Sequence, residues 1–272
     1  MKAAFNSTNA NSASSNSAGS NSAGSNSAGS NSASSNSTNT CSETLGNERA
    51  KVLETTATKD IACESCNVAA CEFTERTAPE FCPQQNITEE MHNEAMRLYN
   101  LPENHQIMEC AAKVSANTVN STRVQDTLKF ASYMGAKRVG IATCTAMLKE
   151  TRILAGLLRK AGFEVKAVGC KLESNRKEDL GIEKLPNDSD CPICNPIMQA
   201  LILNQAQCDI NILMGICIGH DALFCKYSQA PAVTLVAKDF MAANNPCAVL
   251  YTANGVYKEK VEATISEIVK SE

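Results

Sequence analysis

The sequence has no tryptophan, and aromatic residues make up 4% of it. A surface that stacks bases needs aromatic faces, so that scarcity argues against single-stranded nucleic-acid binding. There is no basic stripe either. The formal net charge is −4 with Lys and Arg scattered, which leaves no footprint for a phosphate backbone. No stretch approaches the roughly eighteen apolar residues of a membrane span. The opening MKAAFNSTNANS has no apolar h-region, so no secretory signal is read and a cytoplasmic location is expected. Missing, too, are a P-loop, a GxGxxG after the first predicted strand, and a Ser/His/Asp arrangement. Nucleotide hydrolysis and serine chemistry therefore have no support, and no residue is assigned a catalytic role.

What the sequence has in excess is cysteine, fourteen in 272 residues. In a small secreted domain that abundance would read as a disulfide framework. Here no signal peptide is read, and the chain is long enough to bury an ordinary core, so metal ligation or thiol redox chemistry is the better reading.

Three regions are expected. Residues 1–58 are a disordered tail and linker, because 11–35 consist of five tandem pentapeptides of Asn, Ser, Ala and Gly that offer almost no apolar area to bury. Residues 59–86, rich in Cys, Pro and Gln without apolar periodicity, form a loop-built four-cysteine metal module. Residues 87–272 form a helical lead-in and an α/β domain.

In the lead-in, Thr88 is placed as the N-cap of a helix broken at Leu101-Pro102, a second helix spans 103–117, and a third runs from about Thr122 to Gly135. Short apolar strands then follow at 137–143, 163–168, 210–216 and 232–237. Helices are expected at 146–160, 195–206, near 246–252 and at 257–270. Helical connections of that length imply parallel pairing, and continuously apolar strands imply a sheet covered on both faces. The fold class expected is a doubly wound, mainly parallel α/β sheet of about four strands, in the order 2-1-3-4.

Within the module, Cys63, Cys66, Cys71 and Cys82 follow the spacing C-x2-C-x4-C-x10-C-P. A C-x-x-C turn supplies two soft ligands from one loop, and the absence of a local core is what a metal-nucleated module requires. The Cys63/Cys66 pair alone is weak at this cysteine frequency, and buried thiols that merely pack are the ordinary alternative. Four cysteines in twenty coreless residues are the stronger signal. An iron–sulfur cluster is the preferred occupant and zinc the alternative.

The other informative cysteines sit at strand ends. Cys144 follows the first strand, Cys170 the second and Cys217 the third, while Cys194 precedes the helix opened by Asn195-Pro196. Ligands of open parallel sheets bind outside the carboxyl ends of the strands, so these four thiols are read as a second metal or redox site. His220, in Gly215-Ile216-Cys217-Ile218-Gly219-His220-Asp221, joins them as a ligand or proton donor, with Asp221 capping the next helix. The competing reading is that Cys fills strand ends as a small hydrophobe. A third is a metal-free thiol–disulfide pair at Cys191-Pro192-Ile193-Cys194. Cys41 is read as incidental, and Cys110, Cys208, Cys225 and Cys247 as core filling.

These residues resemble a family of uncharacterised cysteine-rich metal-binding proteins of archaea and anaerobic bacteria, a domain of unknown function. The resemblance runs from about Cys63 to Tyr251. It rests on the quartet with Pro83, Leu101-Pro102-Glu103-Asn104, Thr122-Arg123-Val124, Gly140-Ile141-Ala142, Cys144, Cys170-Lys171 and Cys194-Asn195-Pro196-Ile197. The longest matching run is Gly215 to Phe224, followed by Lys226-Tyr227-Ser228 and Ala230-Pro231. The resemblance implies metal binding without an assigned reaction. The family pattern carries a His immediately before Asn-Pro, where this chain has Asn244 before Asn245-Pro246.

The functional expectation is thus a metal-binding, iron–sulfur redox protein with a second cysteine-lined site, acting on a small-molecule ligand or with a redox partner protein. The alternatives are a zinc sensor or carrier and a thiol–disulfide protein.

Overall fold

The computed structural model describes residues 61–270 apart from 117 and 187. The expected tail and linker over 1–58, with Cys41, lie outside the described residues.

The lead-in begins with α1 (Glu89–Tyr99), α2 (Pro102–Ser115) and α3 (Arg123–Tyr133). Thr88 caps α1 by accepting from the Met91 amide at 3.2 Å, as expected. Proline at the first position of α2 needs no amide partner there. Thr122 opens α3 in a reciprocal cap, in which its hydroxyl accepts from the Gln125 amide while the Gln125 side chain accepts from the Thr122 amide. Gly135, at φ +70°, then lets the chain turn away.

The sheet is built from β1 (Arg138–Thr143), β2 (Glu164–Gly169), β3 (Ile210–Met214) and β4 (Ala232–Val236). Every pairing is parallel and the order is β2-β1-β3-β4, as the periodicity predicts. The crossovers are α4 (Leu148–Lys160), α5 (Pro196–Gln205) and α6 (His220–Tyr227), and the chain continues through α7 (Pro246–Tyr251) and α8 (Lys258–Lys270).

Side chains alternate across the sheet, so its two faces carry separate cores. Val139, Ile141, Ile210 and Ile212 pack with Leu154, Ala155 and Leu158 of α4 and Ala131 of α3. Ala142 and Leu213 pack on the other side with Ala200 and Leu203 of α5 and Phe224 of α6. The central strands β1 and β3 are buried almost throughout, whereas β2 exposes Glu164, Lys166 and Ala167, as an edge strand does. The third strand stops at Met214 rather than at Ile216, because Gly215 adopts φ +63° and leaves the sheet. Among the described residues, no helix is long and apolar enough to cross a membrane.

One close approach fixes the spacing of β1, β3 and α5. Gly140 lies opposite Asn211, and a Cβ at Gly140 would fall 2.0 Å from Asn211 Oδ1 and 3.1 Å from Leu203 Cδ1. Asn211 is fully buried and donates to Ser228 Oγ at 2.8 Å, so it is not free to retreat. Replacing glycine in a strand ordinarily stabilises by roughly 0.5–1 kcal/mol. Here we predict the opposite sign: Gly140→Ala should destabilise by about 1–3 kcal/mol through overpacking. The check is the urea midpoint, and a midpoint at or above that of the parent would contradict the close packing.

Candidate metal centre

The carboxyl edge of the sheet is where the cysteines converge. Cys144 directly follows β1, and its amide donates to the Met214 carbonyl at 3.0 Å, which extends the β1–β3 ladder by one residue. Cys170 directly follows β2, and its carbonyl accepts from the Asn195 amide at 2.8 Å. That bond draws the start of α5, and with it Cys194, over the sheet edge. Asn195 then caps α5 by accepting from the Met198 amide, while its side-chain amide donates to Glu173. Gln199, fully buried on the first turns of α5, donates to the carbonyls of Val168 at 2.8 Å and Thr143 at 3.2 Å. A buried amide that satisfies two strand-end carbonyls pins the helix where Cys194 is needed.

Beyond β3, Gly215 must be glycine twice over, for its positive φ and because a Cβ would sit 2.8 Å from Met147 Cγ. The turn carries Cys217 back to the edge, and the Cys217 carbonyl accepts from the amides of His220 and Asp221. The residue before α6 is Gly219, at φ +79°, and Asp221 sits in the first turn of the helix rather than at its cap. The reason is geometric: the tight turn after Cys217 needs a left-handed residue immediately ahead of His220.

The ligand atoms of Cys194, Cys217 and His220 all lie within 4.8 Å of one another, the one such group of three or more among the described residues. Each of these side chains is half-buried. His220 Nδ1 is buried without a hydrogen-bond partner, a costly arrangement for an imidazole nitrogen. Two thiols and an imidazole at that separation suit a single soft or borderline ion, for which tetrahedral bonds of about 2.3 Å to sulfur place ligand atoms a little under 4 Å apart.

Cys170 and Cys144 are buried beside this group, packed with Met147. Cys170 contacts the Cys194 thiol, whose hydrogen bond brings the Cys170 thiol down to about 5, with burial opposing and the Thr145 amide, at 3.5 Å, assisting. The Cys194 thiol is pushed up, first by that same contact with Cys170 and then by burial.

Lys238, just past β4, donates to Cys217 Sγ at 3.1 Å and to Cys144 Sγ at 3.3 Å. Burial works to lower its ammonium, but the two sulfur contacts outweigh it and the net shift is upward. Its place just past a strand is the one sequence signal that could mark this lysine, and alone that signal is weak.

The N-terminal quartet is arranged differently. Between residues 61 and 86 only Ala70 and Cys82 are buried, so the segment has no apolar core of its own. Cys63 and Cys71 are exposed and Cys66 is half-buried. The Cys66 sulfur accepts from the Ala69 amide at 3.4 Å, and this contact, followed by one from the Val68 amide, lowers its thiol. Ala69 takes φ +51° to make the turn. Backbone amides aimed at a thiol are what a metal-binding knuckle provides, so the residues fit such a group. No three of the four sulfurs come mutually within 4.8 Å.

Other assignments change with the geometry. Cys194 makes its thiol contact with Cys170, while Cys191 is exposed. Cys110 and Cys208 are buried as core residues, but Cys225 and Cys247 are exposed: Phe224 takes the buried position on α6, and α7 buries nothing. Asn244, at φ +61°, accepts from the Asp239 amide at 3.1 Å and donates to Met147 Sδ at 3.7 Å. It closes the loop after β4 against the same Met147 that lies under Gly215.

The family model for DUF1847, described as a protein of unknown function, matches residues 82–235. Uncharacterized protein MJ0455 of Methanocaldococcus jannaschii is 36% identical over 191 residues, covering 70% of this chain and 93% of that protein. No solved structure matches the chain. On a family match that runs from the last cysteine of the quartet through β4, and on an archaeal relative similar over almost its whole length, the chain belongs to the DUF1847 family.

Proposed function

We propose that the protein is a metal-binding redox protein with two centres. The observation that carries this reading is the convergence of Cys194, Cys217 and His220 around a buried, unpartnered His220 Nδ1. Those three residues would hold one thiophilic ion at the carboxyl edge of the sheet, and Cys170, buried beside them in contact with Cys194, would be the fourth ligand. Metal binding would displace the thiol protons of its ligands. An ion bound there would supply Lewis acidity or a one-electron couple, while Gln199 and Asn195 hold the Cys194 turn over the sheet edge.

The quartet Cys63, Cys66, Cys71 and Cys82 is proposed to hold an iron–sulfur cluster. Four thiolates in a loop without an apolar core are the donor set such a cluster takes. On this reading the quartet would hold the group that takes electrons from a partner redox protein, and Cys170, Cys194, Cys217 and His220 would hold the group at which a small molecule is reduced. Zinc in the quartet is the second reading, because four thiolates in a coreless loop suit it as well.

Purification without air, followed by metal analysis and visible spectroscopy, tests both centres. The parent protein should be brown. Cys63→Ser/Cys66→Ser should lose iron and colour, and Cys194→Ser/Cys217→Ser should lose a separate complement of metal while keeping the colour. Metal contents unchanged in both variants would refute the reading, and a colourless parent rich in zinc would replace the cluster with zinc.

Metal removal should act unevenly on the chain. The 61–86 module has almost nothing else to fold around, whereas the α/β domain has two packed cores. Under reducing conditions a chelator should make the module sensitive to protease while leaving the sheet domain resistant. Equal resistance of the module with and without chelator would count against a structural metal there.

A further inference from the structure

We propose that Lys238 is a positioning residue of the sheet-edge centre, supplying the counter-charge that matches that centre to a divalent ion. This rests on the proposed assignment of Cys170, Cys194, Cys217 and His220 as ligands. Three thiolates and a neutral imidazole around a divalent ion leave one net negative charge in a half-buried site. An uncompensated charge of that kind is strongly disfavoured away from water. Lys238 is the cationic side chain in contact with the ligand sulfurs, through Cys217 at 3.1 Å. Lys171, the other nearby lysine, acts on Cys194 through its charge but donates to the Pro192 carbonyl rather than to a ligand sulfur, and the Asp239 carboxylate next in sequence accepts from the Ala242 amide.

The same ammonium reaches Cys144 at 3.3 Å, and so ties a ligand to a buried thiol outside the three-ligand group. Its position is enforced from both sides: the Gly215 amide donates to the Val236 carbonyl at 2.9 Å, which holds the exit of β4 against the turn that carries Cys217. The Phe240 ring lies 4.8 Å from the ammonium and gives it a second favourable face. A monovalent ion on the same ligands would leave a further negative charge beyond the one that Lys238 balances. The arrangement therefore favours divalent over monovalent thiophilic ions.

Cobalt(II) is a suitable probe, because its thiolate charge-transfer absorption reports ligation directly. The full-length Cys63→Ser/Cys66→Ser protein confines the signal to the sheet edge. In that background Lys238→Leu and Lys238→Gln should bind cobalt(II) on the order of tenfold or more weakly. The charge-transfer intensity per bound ion should be unchanged, since the ligands are the same. Lys238→Arg should restore most of the affinity, which a purely space-filling role for the lysine would not require. Equal affinity in both neutral variants, or an arginine variant as weak as they are, would overturn the role of Lys238 alone. Absence of thiolate-to-cobalt absorption from the Lys238-containing parent would overturn the ligand assignment and this role together.

Discussion

The candidate centre depends on the parallel pairing of β1 with both β2 and β3. The register sets Thr143 against Gly169 on one side and against Met214 on the other. The next residues along β1 and β2 are Cys144 and Cys170, so two thiols leave the sheet side by side. A slip of one residue would displace a strand end by about 3.3 Å and turn its side chains to the opposite face. Neither error is available to β1 and β3, because both of their faces are buried and a slip would undo two cores at once. The stability of the fold and the geometry of the thiols are therefore set by the same contacts.

A second tier of interactions brings in the residues that strand pairing cannot place. Cys194 lies far along the chain from Cys170, and it reaches the edge because Asn195 and Gln199 bond to the carbonyls at the ends of β1 and β2. Cys217 reaches it because Gly215 and Gly219 permit two left-handed turns in five residues. Lys238 then completes the array from β4. Three of the four strand ends thus deliver a sulfur and the last delivers a cation, which is a coherent way to hold a metal–thiolate group with little residual charge.

Much of this was legible in the sequence. The order β2-β1-β3-β4 followed from apolar strands separated by helical connections, and the gathering of thiols from the position of each cysteine relative to the end of its strand. What the sequence did not disclose was which sulfurs come closest. Cys191 and Cys194 look like a pair in the chain, yet Cys194 turns to Cys170, because α5 is anchored to β2 and not to the loop before it. Cys225 and Cys247 looked like core residues, but a helix buries one face only, and Phe224 occupies that face of α6. Lys238 escaped notice because a lone lysine after a strand carries no pattern. Its meaning appears only when Cys144 and Cys217, 73 positions apart in the numbering, are seen to share it.

Whether Cys194, Cys217 and His220 hold a metal ion can be read from X-ray absorption at the edge of whichever metal copurifies with the Cys63→Ser/Cys66→Ser protein. The expected spectrum shows nearest neighbours that are mainly sulfur at about 2.3 Å, with the outer carbon scattering of one imidazole. A protein that retains no metal, or one whose metal sees only oxygen and nitrogen neighbours, would contradict that assignment.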